Sequence, residues 1–347
     1  MYKVKRNPQK FEPLDLFSTL VEDLGYTINQ EGVVEKVSEI FSQSVNQSKK
    51  NGIMLHGARV EGLFSYVVRG MKSVKFIKKE DAGDVYASTD KKLQIPDFRI
   101  ILNDDTLIFV EVKNHNKDDK FSLDIEYVES LDRYSNLNKG VLFIAVYYRS
   151  IFRWVLLPIS RFSKNGDKYE ISLEDAMYYS EFSSLGDKCF GLYKSIEIKF
   201  KLDENNIKEK FKDDFFNYEG KIKKIDFKCG DKVINDDTGR KILFAFARYG
   251  SWPSTYECSF NNNELVEIKI TYEPEDKFFD PEIKVGFRGI AQYSVILTNS
   301  FTLKTVKDEE IIRLLYSGET FDVTTLVPSE YKSPDLAIVE FKPVPPN

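Results

Sequence analysis

Apolar residues recur at helical spacing between residues 14 and 71. Leu14, Phe17, Leu20, Val21 and Leu24 form one stripe that stops at Gly25. Val33, Val34, Val37, Ile40 and Phe41 form a second before the polar stretch NQSKKNG. A third, Val60, Leu63, Phe64, Val67, Val68 and Met71, is spaced i, i+3, i+4, i+7, i+8 and i+11, which predicts a helix with one continuous buried face. The pattern then changes to alternation and short apolar runs. Strands are predicted at Val74–Ile77, Asp84–Ala87, Ile95–Leu102 and Leu107–Lys113, the last two joined by a turn through Asn103-Asp104-Asp105-Thr106. A helix from Ser122 to Leu137 carries Leu123, Tyr127, Leu131 and Tyr134 on one face and ends near Gly140. The strands Val141–Tyr148 and Phe152–Ile159 follow it.

Beyond the polar loop Ser163–Lys168, a helix at Leu173–Tyr179 precedes mostly strand-like segments. These are Ile196–Leu202, Lys221–Phe227, Lys241–Ala247, Leu265–Tyr272, Glu282–Phe287 and Tyr293–Leu297. The expected organisation is an N-terminal helical segment (1–55), an α/β core in the order αβββαβ (56–163), and a β-rich C-terminal domain (164–347) built as a sandwich or curved sheet. A length of 347 residues suits two domains, and 42% hydrophobic residues let each bury a core.

Charge narrows the functional classes. A net charge of −5 argues against a protein that coats nucleic acid indiscriminately. Residues 1–163 hold 24 basic against 22 acidic side chains and residues 164–347 hold 26 against 33, so the first half is the better contact surface for a polyanion. Cys189, Cys229 and Cys258 are odd in number and widely spaced, which speaks against a disulfide framework or a cysteine zinc site. The run Val141–Ile159 is long enough to suggest a membrane span, but Arg149 and Arg153 near its middle would be costly in hydrocarbon. Two strands turning at Arg149-Ser150 fit better, and the chain reads as soluble and cytoplasmic. Neither a G-x-S-x-G nucleophile elbow nor a Gly-rich Lys-Ser/Thr phosphate loop is present, so a serine triad and a nucleotide cofactor are not expected.

The candidate chemistry sits on the predicted hairpin. If its loop is Asn103–Asp105, Leu102 pairs with Thr106 and Asp97 falls opposite Glu111. One face then carries Phe98, Ile100, Leu102, Ile108, Val110 and Val112, and the other Asp97, Arg99, Ile101, Leu107, Phe109, Glu111 and Lys113. A two-residue loop would place Asp97 opposite Val112 and send the carboxylates to different faces. Two carboxylates at the edge of an apolar face suit a hard cation such as Mg²⁺, which polarises a phosphodiester and acidifies an attacking water. Lys113 beside it is suited to orient that water or to stabilise charge on the phosphorus oxygens.

Pro96-Asp97, a short hairpin, then Glu111-Val112-Lys113 resembles the signature of the PD-(D/E)xK phosphodiesterase superfamily. The order of elements over roughly residues 56–160 is similar to that of archaeal Holliday-junction resolvases and some restriction endonucleases. The resemblance implies a restriction-endonuclease-like core, metal ligation by Asp97 and Glu111, and a catalytic Lys113. Many members add a glutamate from the preceding helix, and Glu61 is the matching residue here. Some cap-cleaving relatives use an upstream histidine, which keeps His56 as a candidate ligand. His115 shares strand parity with Glu111 and Lys113 but is expected in the loop beyond. Lys78, Lys79, Lys117 and Lys120, with Lys75, are candidate phosphate contacts. Asp84 and the aromatic loop Tyr249–Pro253 are weaker candidates, better read as turn or packing residues.

The implied activity is Mg²⁺- or Mn²⁺-dependent endonucleolytic hydrolysis of DNA. RNA cleavage by the same residues, or a binding and assembly module that retains the fold without catalysis, are the rival readings. Cutting two strands needs two sites, so a homodimer is expected, with the C-terminal half serving substrate recognition, partner binding or dimerisation.

Overall fold

A computed structural model of the chain describes residues 12–341, apart from residues 51, 81–85, 90, 118–119, 193, 204–207, 213–214, 220, 250–252, 263, 274–288, 309, 317, 329, 334 and 337. Helices α1 (Glu12–Asp23) and α2 (Val33–Lys50) form an N-terminal pair around Val21, Val33 and Val37. The turn between them begins at Gly25, whose φ of 71° only glycine adopts without strain. Helix α2 runs on through the polar residues expected to end it, because Gln and Lys are good helix formers and no glycine or proline intervenes before Lys50.

Helix α3 (Gly52–Met71) is the centre of the molecule. The stripe predicted for it is buried throughout, from Val60 to Met71, and Tyr66 is buried with it. It lies on one face of a mixed five-stranded sheet. The strands in chain order are β1 (Val74–Lys79), β2 (Phe98–Leu102), β3 (Leu107–His115), then β4 (Phe121–Asp124) outside the sheet, β5 (Val141–Tyr148) and β6 (Arg153–Pro158). Their order across the sheet is β1-β2-β3-β5-β6, antiparallel except for the parallel β3–β5 pair. Helix α4 (Ile125–Leu137) provides the crossover between those two and covers the opposite face. The run Val141–Ile159 is thus a β-hairpin, turning at Arg149–Phe152, as the two central arginines required. Among the described residues no helix is long and apolar enough to cross a membrane.

The hairpin register is the one with the longer loop. Phe98 pairs with Val110, Ile100 with Ile108 and Ile101 with Leu107, and the Leu102 amide donates to the Thr106 carbonyl at 2.9 Å. Phe98, Ile100, Ile108, Val110 and Val112 therefore share a core with α3, while Phe109 faces α4.

Several expected boundaries move. Strand β2 starts at Phe98, not Ile95, since Pro96 has no amide hydrogen to give a ladder. Residues 122–124 belong to strand β4, not to the helix, because they pair with β8 (Lys168–Ile171) beside β7 (Ser163–Asn165). The polar loop at 163–168 is thus a hairpin whose second strand packs onto the α4 side. Of the expected strand Asp84–Ala87, residues 84 and 85 lie outside the described residues, and Tyr86 and Ala87 are not in a strand. Glu282–Phe287 also lies outside them.

Helix α5 (Leu173–Tyr178) is capped by Ser172, whose hydroxyl accepts from the Asp175 amide, and a 3₁₀ turn at Phe182–Leu185 follows. The C-terminal half is β-rich. Strands β9 (Cys189–Leu192), β10 (Ile196–Leu202), β11 (Lys208–Lys212), β12 (Phe215–Glu219), β13 (Ile222–Cys229) and β14 (Lys232–Val233) lead to helix α6 (Asp237–Tyr249). Strands β15 (Ser254–Asn261), β16 (Glu264–Tyr272) and β17 (Gly289–Gln292) follow, then helix α7 (Tyr293–Thr305), the short strands β18 (Val306–Lys307) and β19 (Glu310–Ile311), and β20 (Ile338–Phe341). The main sheet here has the order β14-β13-β10-β16-β15, wholly antiparallel.

Two segments expected as strands are helices. Lys241–Ala247 lies in α6, where Ile242, Leu243 and Phe246 point into the core and Phe244 does not. Tyr293–Leu297 opens α7, whose residues are buried nearly all round. A short apolar run has no polar side from which to read a period, and β-branched Val295 and Ile296 favour the wrong answer. Burial in a helical packing site decides it.

Helix α7 packs against α3 and β6 through polar as well as apolar contacts. The Tyr66 hydroxyl and Ser300 Oγ are 3.1 Å apart, and Trp154 Nε1 donates to Thr298 Oγ1 at 3.2 Å. The close approach depends on Gly70, where an added Cβ would stand 2.5 Å from Leu297 Cδ2 and 3.0 Å from the Phe321 carbonyl oxygen. Gly57, on the same helix, has nothing within 4 Å of such a Cβ. Gly70→Ala should therefore destabilise the protein by ~1–3 kcal/mol through overpacking. Gly57→Ala should be neutral or stabilising by up to about 1 kcal/mol from helix propensity alone. Thermal melts of the two variants check the contrast, and equal shifts would show that α3 and α7 are not in tight contact.

Candidate active site

Strand parity and the hairpin register put Asp97, Glu111 and Lys113 on the face that α4 covers. Asp97 precedes the first residue of β2, and its Oδ2 accepts from the Val112 amide at 2.7 Å. That bond ties the carboxylate across to β3 beside Glu111. Glu111 is 4% exposed, one of two charged side chains buried among the described residues. Its Oε1 receives the Lys113 ammonium at 2.7 Å. The first turn of α4 adds Tyr127, whose hydroxyl donates to the same Glu111 oxygen and accepts from Lys113 Nζ at 2.9 Å.

The electrostatics follow from burial. Loss of water, then the Glu111 charge, pushes the Asp97 carboxyl up from 3.8 to about 7, against the pull of the Val112 amide and Lys113. Glu61 adds to this push, so it stands near enough for Asp97 to feel its charge. Burial works against the charged form of Lys113, but the Glu111 carboxylate and the hydrogen bonds to it and Tyr127 outweigh that, and the ammonium is held above the ordinary lysine value. The Tyr127 phenol is pushed up to about 12 by burial and the Glu111 charge, so it stays protonated.

The other candidates fall in different places. Glu61 accepts from Lys79 Nζ at 2.8 Å on the exposed side of α3 and β1. Among the described residues no three His, Cys, Asp or Glu side chains gather as a metal-ligand group. His56 is exposed on α3. His115 is in β3 and not in the loop, with its ring edge-on to Phe121 and Tyr148 at 5.5 and 5.3 Å between centroids, and the Arg149 amide donates to its carbonyl. The strand is longer than expected because β5 pairs with it as far as Tyr148. Asp84 and residues 250–252 of the aromatic loop lie outside the described residues. Lys78 pairs with Glu80, Lys120 with Glu170 and Lys75 with Asp105, while Lys117 is exposed.

Two groups were missed in the sequence. By spacing, Tyr127 belongs only to the apolar face of α4. A tyrosine there has a polar end that must find a partner when buried, and that was the signal available. Arg59 on α3 lies over the Phe301 ring at 5.5 Å and donates from Nη2 to Thr302 Oγ1 at 3.0 Å, but its buried Nε has no acceptor among the described residues. Arg149 stands close enough to repel it. Neither arginine has a carboxylate partner among the described residues.

The mixed sheet, flanked by α3 and α4 and carrying Pro96-Asp97 and Glu111-Val112-Lys113 on one hairpin, has the layout of a restriction-endonuclease-like core and is similar to that of the PD-(D/E)xK superfamily. Within that class, residues 74–186 match the family described as archaeal Holliday junction resolvase (Hjc). The matched segment contains Asp97, Glu111, Lys113 and Tyr127, leaves out α3 with Glu61, and continues past the hairpin at 163–168. A 1.6 Å structure of Archaeoglobus fulgidus Hjc, a Holliday junction resolvase from an archaeal hyperthermophile, is similar over 33% of this chain and 90% of its own, with 17% identity and a TM-score of 0.26. No curated protein matches the chain.

The raised Asp97 carboxyl has a measurable consequence without any substrate. Its folded value lies above its unfolded one, so the folded state binds the extra proton between about pH 4 and pH 7. Stability of the metal-free protein should fall as pH rises through that window, by at most roughly 4 kcal/mol from this group. Asp97→Asn should melt higher than the wild type at pH 8, and the gap should close at pH 4. A gap independent of pH would mean that Asp97 is not held in a low-dielectric site beside Glu111.

Proposed function

We propose that the chain is a metal-dependent endonuclease that hydrolyses phosphodiester bonds of DNA. The observation that carries this reading is the convergence of Asp97, Glu111 and Lys113 on one strand pair inside the segment that matches the resolvase family. The donor set suits Mg²⁺ or Mn²⁺, since the buried Glu111 and the half-buried Asp97 both offer only oxygen. Oδ1 of Asp97 and Oε2 of Glu111 accept no hydrogen bond from the described residues, so each acid has an oxygen to give. Glu61 is the candidate third acid, reached by release from Lys79.

When bound, the cation supplies Lewis-acid polarisation of the phosphodiester. The residues of the chain do the rest. Asp97 and Glu111 would hold the cation, and the Val112 amide ties Asp97 to β3 beside Glu111. Lys113 sits two residues along the same strand face, where its ammonium stabilises negative charge on the phosphoryl oxygens or orients the attacking water. Arg59 and Arg149, which have no carboxylate partner among the described residues, are candidate contacts for backbone phosphates beside Lys75, Lys78, Lys79 and Lys120, which have such partners. Lys117, exposed just beyond the motif strand, stays a candidate contact.

Branched DNA is the first substrate to try, because the matching family is described by its action on Holliday junctions. Resolution of a junction needs two symmetric cuts, which two copies of the chain would supply. The C-terminal β-rich half would then recognise substrate or join the copies.

Cleavage of a four-way junction, linear duplex, single strand and RNA should be compared with Mg²⁺, with Mn²⁺ and with chelator. The wild type should cut DNA only with metal, and Asp97→Ala and Lys113→Ala should lose ~10²-fold or more. Cutting that survives both substitutions would sink the assignment of the site. Absence of cutting, with DNA still bound, would favour the non-catalytic module, and preference for RNA the ribonuclease.

A further inference from the structure

The proposed site contains a group that neither the motif nor the family match assigns. We infer that Tyr127 is a positioning residue for Lys113 and Glu111, its hydroxyl fixing the ammonium and deciding which carboxylate oxygen of Glu111 is left for the cation. This rests on the nuclease reading of the same site and deepens it.

A lysine ammonium is a point charge at the end of four flexible bonds, and it keeps one place only if several groups hold it. Here Glu111 Oε1 holds it at 2.7 Å, the Tyr127 oxygen at 2.9 Å, and the Tyr127 ring faces it with the centroid 4.8 Å away. The tyrosine closes the triangle by donating its own proton to Glu111 Oε1. One hydroxyl thus uses its donor and an acceptor lone pair at once, which no other single group in the site can do. Both donors converge on the same oxygen of Glu111.

That convergence has a geometric effect. The terminal torsion of a glutamate is broad and two-fold, so its oxygens exchange unless something distinguishes them. Lys113 alone would follow either oxygen as its stem moves. Tyr127 sits on a helix clamped to the sheet, with Val128, Leu131 and Tyr134 buried around it, and cannot follow. It therefore pins Oε1, and leaves Oε2 on the side of Glu111 away from the ammonium. Asp97 is pinned in the same manner by the Val112 amide on Oδ2, which leaves Oδ1. The two unbonded oxygens are what the pair can present to a cation.

The decisive variant is Tyr127→Phe, which keeps the ring and removes only the hydroxyl. Three readouts are taken. Nuclear magnetic resonance of the Lys113 ammonium in the protein without metal should show a protected signal in the wild type that broadens or disappears in the variant. Calorimetry with Mn²⁺ and no DNA should show affinity weakened several-fold. Single-turnover cleavage should slow roughly 10- to 100-fold at unchanged DNA affinity. A variant with the wild-type ammonium signal and the wild-type Mn²⁺ affinity overturns the inference. If the wild type itself cuts nothing, the nuclease reading fails, and the ammonium signal still decides the role of Tyr127. Should Tyr127→Phe melt before it can be measured, Lys113→Gln gives the reverse reading. The Tyr127 ring signals must then shift and broaden, and their staying unchanged overturns the inference equally.

Discussion

Side chains on a β-strand alternate faces, and the β2–β3 pair turns that constraint into a site. The Leu102–Thr106 closure sets the ladder so that positions 97 and 111 stand opposite each other. A slip of one residue would put the Asp97 position across from Val112 and bring its carboxylate against the apolar side that α3 buries. The hydrophobic pattern forbids the slip. Phe98, Ile100, Ile108, Val110 and Val112 all go to one core together, at ~1.5–3 kcal/mol for each large side chain buried. The energy that holds the acids together therefore comes mostly from residues that take no part in chemistry.

The same packing makes the site electrically tense. Helix α4 lies over the polar end of the hairpin and removes water from Asp97 and Glu111, which raises the cost of two negative charges side by side. Lys113 and Tyr127 offset this for Glu111, and the Val112 amide does so in part for Asp97. The buried core of the C-terminal half contains a comparable group, Asp187, which is pushed up to about 6 by burial but is met by the Ser294 amide and hydroxyl and by Gln292. Donors from the end of β17 and the first turn of α7 reach both Asp187 oxygens, and it reads as a structural link between the segment before β9 and α7. Among the described residues Asp97 and Glu111 keep unbonded oxygens, and that difference favours the proposed site over a purely structural contact.

Much of the nuclease-like core was legible from spacing. The α3 stripe, the hairpin register and the strands β5 and β6 follow from periods of 3.6 and 2 that tertiary packing reinforced. Helices α6 and α7 were not legible, because a helix buried on most sides has no polar stripe and its residues mimic a core strand. In the site, the acids and the lysine could be named from the motif, and their shared face from parity. Tyr127 could not, since contact between a strand and the first turn of a later helix depends on where the crossover docks. The lysines proposed for phosphate contact illustrate the same limit. Charge in a sequence carries no information on which carboxylate answers it, and four of them are answered by neighbours brought in by the fold.

The most direct measurement is the anomalous difference density of crystals grown with Mn²⁺, compared between the wild type and Asp97→Ala. A peak between the Asp97 and Glu111 carboxylates that vanishes in the variant is the predicted result. Density at some other group of side chains, or none at these two under saturating Mn²⁺, would contradict the account.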